Sequence, residues 1–173
     1  MNKKILWITR TGLFVALLIA LQAVTAPLGN QFVTGSVVNF LLIVSVMTCG
    51  FPTGATVAAL SPLVAALFGV GITSKFPQLI PFVALGNFVL ILLWFLIGNR
   101  KLINKYASQV LALITGAVGK FLVLYVGVVH IAARFLTFPP LVLNAMSLIQ
   151  LIVAAIGGAV AIAVLPVLKK AIK

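Results

Sequence analysis

The 173-residue chain contains no aspartate and no glutamate, and it has a single histidine, His130, and a single cysteine, Cys49. The missing carboxylates exclude two-carboxylate hydrolysis, magnesium or calcium sites with acidic ligands, and carboxylate proton relays within the chain. One histidine and one cysteine cannot form a metal cluster, an internal disulfide or a triad with an acidic member. We therefore expect no enzyme activity, no bound metal and no cofactor.

Apolar sequence, in contrast, is abundant, since 64% of the residues are hydrophobic and only 7% are charged. Soluble domains are about 25% charged, and a membrane-spanning helix needs about 20 apolar residues. Six apolar segments are separated by Gly, Pro, Asn and Lys or Arg, at about 5–28, 34–49, 54–70, 77–97, 107–133 and 139–170. The sequence predicts an all-α integral membrane protein, a six-transmembrane-helix bundle that forms one domain over residues 1–173.

The basic residues indicate how the bundle is oriented, because short cytoplasmic loops are enriched in Lys and Arg. Six spans with the N-terminus inside put nine of the twelve basic residues on the cytoplasmic side: Lys3, Lys4, Arg10, Arg100, Lys101, Lys105, Lys169, Lys170 and Lys173. We therefore expect both termini to be cytoplasmic and the protein to be multi-pass in the cell (cytoplasmic) membrane. The basic residues form no patch, so the expected surroundings are the lipid bilayer and not nucleic acid.

The N-terminal segment has two interpretations. The lysines at 3–4, an apolar run and the small residues at 23–26 are also typical of a signal peptide with a cleavage site, whose removal would leave five spans. A stripe of small residues at Gly12, Ala16 and Ala20 favours a retained helix, because such a stripe suits close helix packing. The stripe could pack within the bundle or against a partner chain.

Polar residues within the spans collect in the halves that this topology places outside. They are Thr34, Ser36 and Asn39 in the second span, Gln78 and Asn87 in the fourth, and Asn144, Ser147 and Gln150 in the sixth. Polar side chains at membrane depth normally face protein or a water-filled cavity. The last span is apolar from Gln150 to its cytoplasmic end, whereas a channel would carry polar residues through its full depth. The asymmetry predicts a pocket that is open outside and closed below.

The fifth span has a basic face. At 100° per residue, Gly116, Lys120, Gly127 and Arg134 lie within about 40° of one line, with His130 at its edge. Because no carboxylate in the chain can neutralise Lys120, three interpretations stay open: it binds an anionic ligand, it is uncharged, or it extends to an interface. Arg134 and His130 are either interfacial anchors or, with Lys120, a clamp for a carboxylate.

The third span contains a proline in its interior, at Ser61-Pro62. A proline here predicts a kinked helix in which the carbonyl group of Ala58 loses its backbone partner. The freed carbonyl group serves either helix packing or the shape of a cavity.

Together these features resemble the substrate-binding S components of energy-coupling factor (ECF) vitamin transporters. The resemblance rests on six short spans, a basic N-terminus, the Ala16-x-x-x-Ala20 pair, polar outer halves and a basic tail, and it covers the whole chain. Segments 34–39, 61–62 and 81–87 are similar to S components without an assigned substrate. The resemblance implies that Ala16 and Ala20 contact a transmembrane T component, which two cytoplasmic ATPases drive. It also implies that the loop around Asn30 and Gln31 closes over the site.

The residues and the resemblance predict a component that captures a small water-soluble vitamin or related micronutrient outside the cell and delivers it inward. Lys120 and Arg134 favour a ligand with a carboxylate or phosphate group. The candidate binding residues are Asn39, Gln78, Asn87, Lys120, His130, Arg134, Asn144, Ser147 and Gln150. Two alternatives are an envelope scaffold, in which polar residues join helices, and a self-contained facilitator that works without an ATPase.

Overall fold

The computed structural model describes residues 3–100 and 104–171, and every regular element within them is helical. The α-helices are α1 (Lys3–Thr25), α2 (Gln31–Cys49), α3 (Phe51–Leu67), α4 (Gly71–Lys75), α5 (Ile80–Leu93), α6 (Lys105–Leu124), α7 (Ala133–Phe135), α8 (Pro140–Ala145) and α9 (Leu148–Ala171). Two of the basic residues used for orientation, Lys101 and Lys173, lie outside the described residues.

Short segments of other helix types extend these elements. A 3-10 turn at Ala26–Leu28 follows α1 and another at Pro77–Leu79 precedes α5, while π-helical segments at Trp94–Gly98 and Tyr125–Ala132 extend α5 and α6. Five of the resulting helices are long and apolar enough to cross a membrane, and α3 is a shorter apolar helix of 17 residues. The prediction of an all-α, multi-pass membrane bundle is confirmed at this level.

Prolines and glycines define most of the helix ends. Pro52, Pro81 and Pro140 stand in the first turns of α3, α5 and α8, where the missing N–H group is not needed for a helical hydrogen bond. Gly50, at φ 88°, lets the chain reverse between α2 and α3 within one residue. The ends of α1 and α3 and the starts of α2 and α9 line one cavity, so these helices run in alternating directions.

Helix α2 is central, since it packs against α1, α3, α5 and α9, whereas α1 contacts mainly α2 and α3 at the edge of the bundle. Glycines bring the central helices close together. A Cβ atom built at Gly157 of α9 would lie 2.6 Å from the carbonyl oxygen of Ser36 on α2. The main apolar core includes Leu42, Ile43 and Trp94, all fully buried, and it fills the bundle between α2, α5, α6 and α9.

The alternating directions separate the charges of the described residues. Most basic side chains lie at the end formed by the start of α1, the α5–α6 connection and the end of α9, which we call the basic end: Lys4, Arg10, Arg100, Lys105, Lys169 and Lys170. The opposite end, called the cavity end below, contains Lys75 and Arg134. Lys120 lies between the two ends, inside the bundle.

Candidate functional site

A cavity of about 600 Å³ lies at the cavity end, between the end of α1, the start of α2, the end of α3, α4, α5, α8 and the start of α9. This volume is in the range of small-molecule sites. Most of its lining is apolar. Its polar side chains come from seven helices and the α1–α2 loop: Gln22, Asn30, Gln31, Thr34, Ser61, Thr73, Lys75, Asn87, Lys120 and Gln150.

The Ser61-Pro62 pair lies at the floor of the cavity, and α3 continues through it. Pro62 has no N–H group to donate to the carbonyl oxygen of Ala58, and the hydroxyl group of Ser61 donates to that oxygen instead, at 3.2 Å. A serine hydroxyl has one hydrogen, so towards other groups Ser61 acts as an acceptor. The carbonyl group that the proline frees is thus satisfied locally.

Two buried amides converge on Ser61. Nδ2 of Asn87 donates to Oγ of Ser61 at 2.7 Å, and Nε2 of Gln22 donates to its backbone oxygen at 3.2 Å. Because Ser61 offers only acceptors here, these bonds fix which end of each amide faces it. Oδ1 of Asn87 and Oε1 of Gln22 are buried and have no partner among the residues that the structure describes. Two residues that line the cavity therefore each hold a buried acceptor that is unpartnered in the described part of the chain.

Lys120 crosses the bundle from α6 to α2. Its stem runs past Gly86, where a Cβ atom would lie 3.4 Å from Cγ of the lysine. Its Nζ atom donates to Oδ1 of Asn39 at 2.7 Å, and the side chain is only 3% exposed. The amine therefore points into the bundle beside the cavity, which disagrees with the interpretation that it extends to a membrane interface.

The environment of Lys120 provides no negative charge, because the chain has no Asp or Glu. A protonated lysine has three N–H donors, and the bond to Asn39 is the one that it makes within residues 3–100 and 104–171. A buried ion without a counter-charge costs several kcal/mol. A carboxylate or phosphate group on the cavity floor would offset this cost, so the site is chemically suited to an anion.

The cavity mouth includes the loop between α1 and α2. Oδ1 of Asn30 accepts from the backbone N–H of Phe32 at 2.9 Å and caps α2, while Gly29 adopts the left-handed region at φ 58°. Asn30 and Gln31 both line the cavity, as does Lys75 from α4. The two predicted lid residues thus lie at the mouth, and their closure over a ligand stays a prediction.

The basic face expected on the fifth span is interrupted. Gly116, Lys120 and Gly127 are buried, but His130 and Arg134 are exposed and do not line the cavity. The cause is the π-helical segment Tyr125–Ala132, because a residue in an i→i+5 helix advances by less than the 100° of an α-helix. The prediction that His130 and Arg134 share a face with Lys120 is wrong. The His130 ring instead packs edge-on against Tyr125, with centroids 4.8 Å apart.

The break between α8 and α9 separates the polar residues of the last span. Gln150 lines the cavity and donates to the backbone oxygen of Ala145 at 3.2 Å, while the Ser147 hydroxyl donates to that of Asn144 at 2.8 Å. These bonds satisfy carbonyl groups that the break leaves open. The side chain of Asn144 is exposed, and neither it nor Ser147 lines the cavity.

Of the predicted binding residues, the structure therefore brings Asn87, Lys120 and Gln150 to the cavity, with Asn39 behind Lys120. Gln78 is exposed on the 3-10 turn before α5 and does not line the cavity.

Five polar cavity residues were absent from the predicted binding and lid residues: Gln22, Thr34, Ser61, Thr73 and Lys75. Gln22 is an amide in the outer half of its span, so the reasoning that selected Asn39 would also have selected it. Ser61 had a recognisable signal in the following proline. Lys75 had none, because a lysine between spans is ordinary, and only the fold brings α4 over the cavity.

The stripe of small residues on α1 faces away from the bundle. Gly12, Ala16 and Ala20 are exposed, and a Cβ atom at Gly12 would have no other atom within 4 Å among the described residues. The opposite face holds α1 in place through buried Phe14 and Leu18. The stripe is therefore available to lipid or to a partner chain and is not used for packing within the described bundle.

Comparisons of the chain with models of known protein families, with curated proteins and with solved structures find no match.

Proposed function

We propose that this protein is a non-enzymatic, membrane-embedded binding component that captures a small water-soluble anion, as the S component of an ECF-type importer does. The observation that carries the proposal is the cavity of about 600 Å³ whose floor contains a buried lysine in a chain without carboxylates. The entry of an anion into a site of this kind is favourable, because it provides the buried lysine with a counter-charge. The ligand class is a vitamin or related micronutrient with a carboxylate or phosphate group.

The closed lower half of the bundle supports capture rather than free passage. Beyond Asn39 and Lys120, the interior contains the apolar core around Leu42, Ile43 and Trp94. A few polar side chains, such as Ser45 and Gln109, are buried there as well. Residues 151–168 of α9 include no polar side chain. A pore would need a polar path through this region. The ligand therefore leaves on the other side only through a movement of the whole protein or of its helices.

The separation of charge supports the orientation. Six described basic residues lie at the basic end and two at the cavity end, and short cytoplasmic segments are enriched in Lys and Arg. In the proposed topology the basic end faces the cytoplasm, both termini are cytoplasmic, and the cavity opens to the outside of the cytoplasmic membrane.

The energy for uptake has to come from other proteins in this proposal. The chain has no carboxylate for ion coupling and no nucleotide-binding motif. The exposed stripe at Gly12, Ala16 and Ala20 offers a surface where another helix can approach closely. A transmembrane T component on this surface, with two ATPases below it, would supply the driving force.

The binding step can be tested by thermal unfolding of the purified protein in detergent with a panel of water-soluble vitamins and their precursors. A ligand at 100 times its Kd adds about 2.7 kcal/mol to the stability of the folded state, which corresponds to a rise in Tm of about 5–10 °C for a chain of this size. We expect such a rise with an anionic compound. The absence of a rise with every compound would contradict the proposal and favour the envelope scaffold.

If the α1 stripe contacts a T component, a larger side chain on the stripe should stop uptake without affecting ligand binding. We expect Ala16→Leu to leave the ligand-induced rise in Tm unchanged, since Ala16 is exposed and does not line the cavity. We expect it to abolish uptake of the same ligand by cells. The matched control is Ala163→Leu on α9, because Ala163 is also exposed. Normal uptake by the Ala16 variant, or equal loss in both variants, would refute a partner surface on this stripe.

A further inference from the structure

The hydrogen-bonding groups at the cavity floor are of two kinds, and they lie on different helices. On one side, Lys120 of α6 brings N–H donors and a positive charge. On the other side, Asn87 of α5 and Gln22 of α1 each retain a buried carbonyl oxygen that has no partner in the described part of the chain. A ligand that satisfies only Lys120 would leave both of these acceptors unpaired.

Ser61 determines which atom of each amide, the nitrogen or the oxygen, faces it. Ser61 gives its only hydroxyl hydrogen to Ala58, so Asn87 must present its NH₂ group to Ser61. The backbone oxygen of Ser61 likewise accepts only, so Gln22 must present its NH₂ group there. The proline at 62 thus determines, through Ser61, that the remaining groups of Asn87 and Gln22 are acceptors.

An unpartnered buried acceptor is costly, because it has lost its hydrogen bonds to water without a replacement. Two such oxygens among residues that line one cavity favour an occupant that supplies donors. Neither oxygen can be satisfied by a carboxylate or by a doubly ionised phosphate ester, since these groups only accept. The anionic group that neutralises Lys120 therefore cannot also donate hydrogen bonds to Asn87 and Gln22.

We infer that the ligand of this cavity combines an anionic group, bound by Lys120, with N–H or O–H groups that donate hydrogen bonds to Asn87 and Gln22. The inference rests on the proposed binding function and specifies the ligand class. Amino, amide, ureido or hydroxyl carboxylates and phosphates belong to this class. Simple aliphatic carboxylates do not, because an ionised carboxylate only accepts hydrogen bonds.

The test uses the purified full-length protein and thermal unfolding with four classes of small molecules: anions with donors, anions without donors, neutral donors, and neutral compounds without donors. Matched pairs such as p-aminobenzoate and its N,N-dimethyl analogue, or orotate and 1,3-dimethylorotate, isolate the donor. We expect the stabilising compounds to come from the first class and methylation of the donor to remove most of the rise in Tm. For any other compound that stabilises the protein, an analogue with its donor methylated is prepared and measured beside it.

The acceptor side is tested with Gln22→Met, which removes the amide from a side chain of similar length. We expect this variant to bind the donor-bearing ligand about tenfold more weakly, as for the loss of one hydrogen bond, and to discriminate less between that ligand and its methylated analogue. The matched control is Gln109→Met, because Gln109 is equally buried and its amide has no partner among the described residues, but it lies outside the cavity lining. A second variant, Asn87→Leu, repeats the measurement if Gln22→Met does not fold.

The outcomes separate this inference from the proposed function. Stabilisation by anions without donors, or unchanged discrimination in a folded Gln22 or Asn87 variant, would overturn the donor requirement and leave the binding function in place. Stabilisation by neutral compounds with donors, and by no anion, would overturn the requirement that the ligand carries an anionic group. No stabilisation in any of the four classes would overturn the binding function itself, and the inference with it.

Discussion

Replacement of Lys120 by methionine is expected to weaken binding of the anionic ligand by about 30-fold or more, because truncating one partner of a buried charge pair costs about 2–5 kcal/mol. Methionine keeps an unbranched stem that can pass Gly86, where the lysine stem lies, and removes only the amine. The change therefore tests the charge and not the packing. Titration calorimetry, or Tm measured against ligand concentration, gives the ratio of the Kd values.

The same substitution is expected to raise the Tm of the protein without ligand. Lys120 is 3% exposed, and its one hydrogen bond within the described residues is to a neutral amide. A buried ion costs several kcal/mol, whereas the oxygen of Asn39 that the variant leaves unpaired costs about 1–3 kcal/mol. Weaker binding together with higher stability is the combination expected of a residue that is kept for function.

Lys75→Met is the matched control. Lys75 also lines the cavity, but it is exposed at the mouth, so water and salt screen its charge. We expect a change in affinity of less than about fivefold, since exposed ion pairs contribute about 0–1 kcal/mol. Equal effects of the two substitutions would indicate attraction by net charge alone. Unchanged affinity in the Lys120 variant would show that this lysine does not bind the ligand and only joins α6 to α2 through Asn39.

Much of the fold was predictable because membrane-spanning helices are long apolar segments, and Gly, Pro, Asn and basic residues separate them in the sequence. Long apolar segments have no stable alternative to helix in a bilayer. Helices α3, α5 and α8 begin at Phe51, Ile80 and Pro140, close to the predicted span starts at 54, 77 and 139. The helix ends differ from the prediction by a few residues. Helix α2, for example, begins at Gln31 rather than at 34, because Asn30 caps it.

The site was only partly predictable because helical phase is lost wherever the helix type changes. Gly116 and Lys120 were predicted to share a face, and both are buried, since no irregular segment intervenes between them. Extension of the same 100° periodicity to Arg134 failed across the π-helical segment Tyr125–Ala132. Nothing in the composition of that segment distinguishes it from an α-helix, so only the fold reveals the shift.

The contact between α2 and α9 leads to the second large effect, which we expect from Gly157→Ala. The added Cβ atom would lie 2.6 Å from the carbonyl oxygen of Ser36 and 2.8 Å from the backbone nitrogen of Phe40. Backbone atoms cannot rotate away, so the two helices have to separate. Overpacking of this kind costs about 1–3 kcal/mol and sometimes more, and we expect a fall in Tm of about 5–10 °C.

The separation would also reach the cavity, because the new Cβ atom would lie 2.9 Å from Cβ of Asn39, the partner of Lys120. We therefore expect weaker ligand binding at temperatures where the variant is still folded. Gly158→Ala is the neighbouring control, since its Cβ atom would meet only side-chain atoms, the nearest being Cγ of Leu113 at 3.1 Å. A leucine side chain can adjust, so the loss of stability should be smaller and the affinity unchanged.

Gly12→Ala completes the series, because it adds the same methyl group where no atom lies within 4 Å in the described part of the protein. A glycine within a helix is less stable than alanine by about 0.5–1 kcal/mol, so this variant should be slightly more stable than the original chain. The expected order of Tm is therefore Gly12→Ala, then the original protein, then Gly158→Ala, then Gly157→Ala. If Gly157→Ala were as stable as Gly12→Ala, α2 and α9 could not be in backbone contact at this point, and the link from that contact through Asn39 to Lys120 would fail with it.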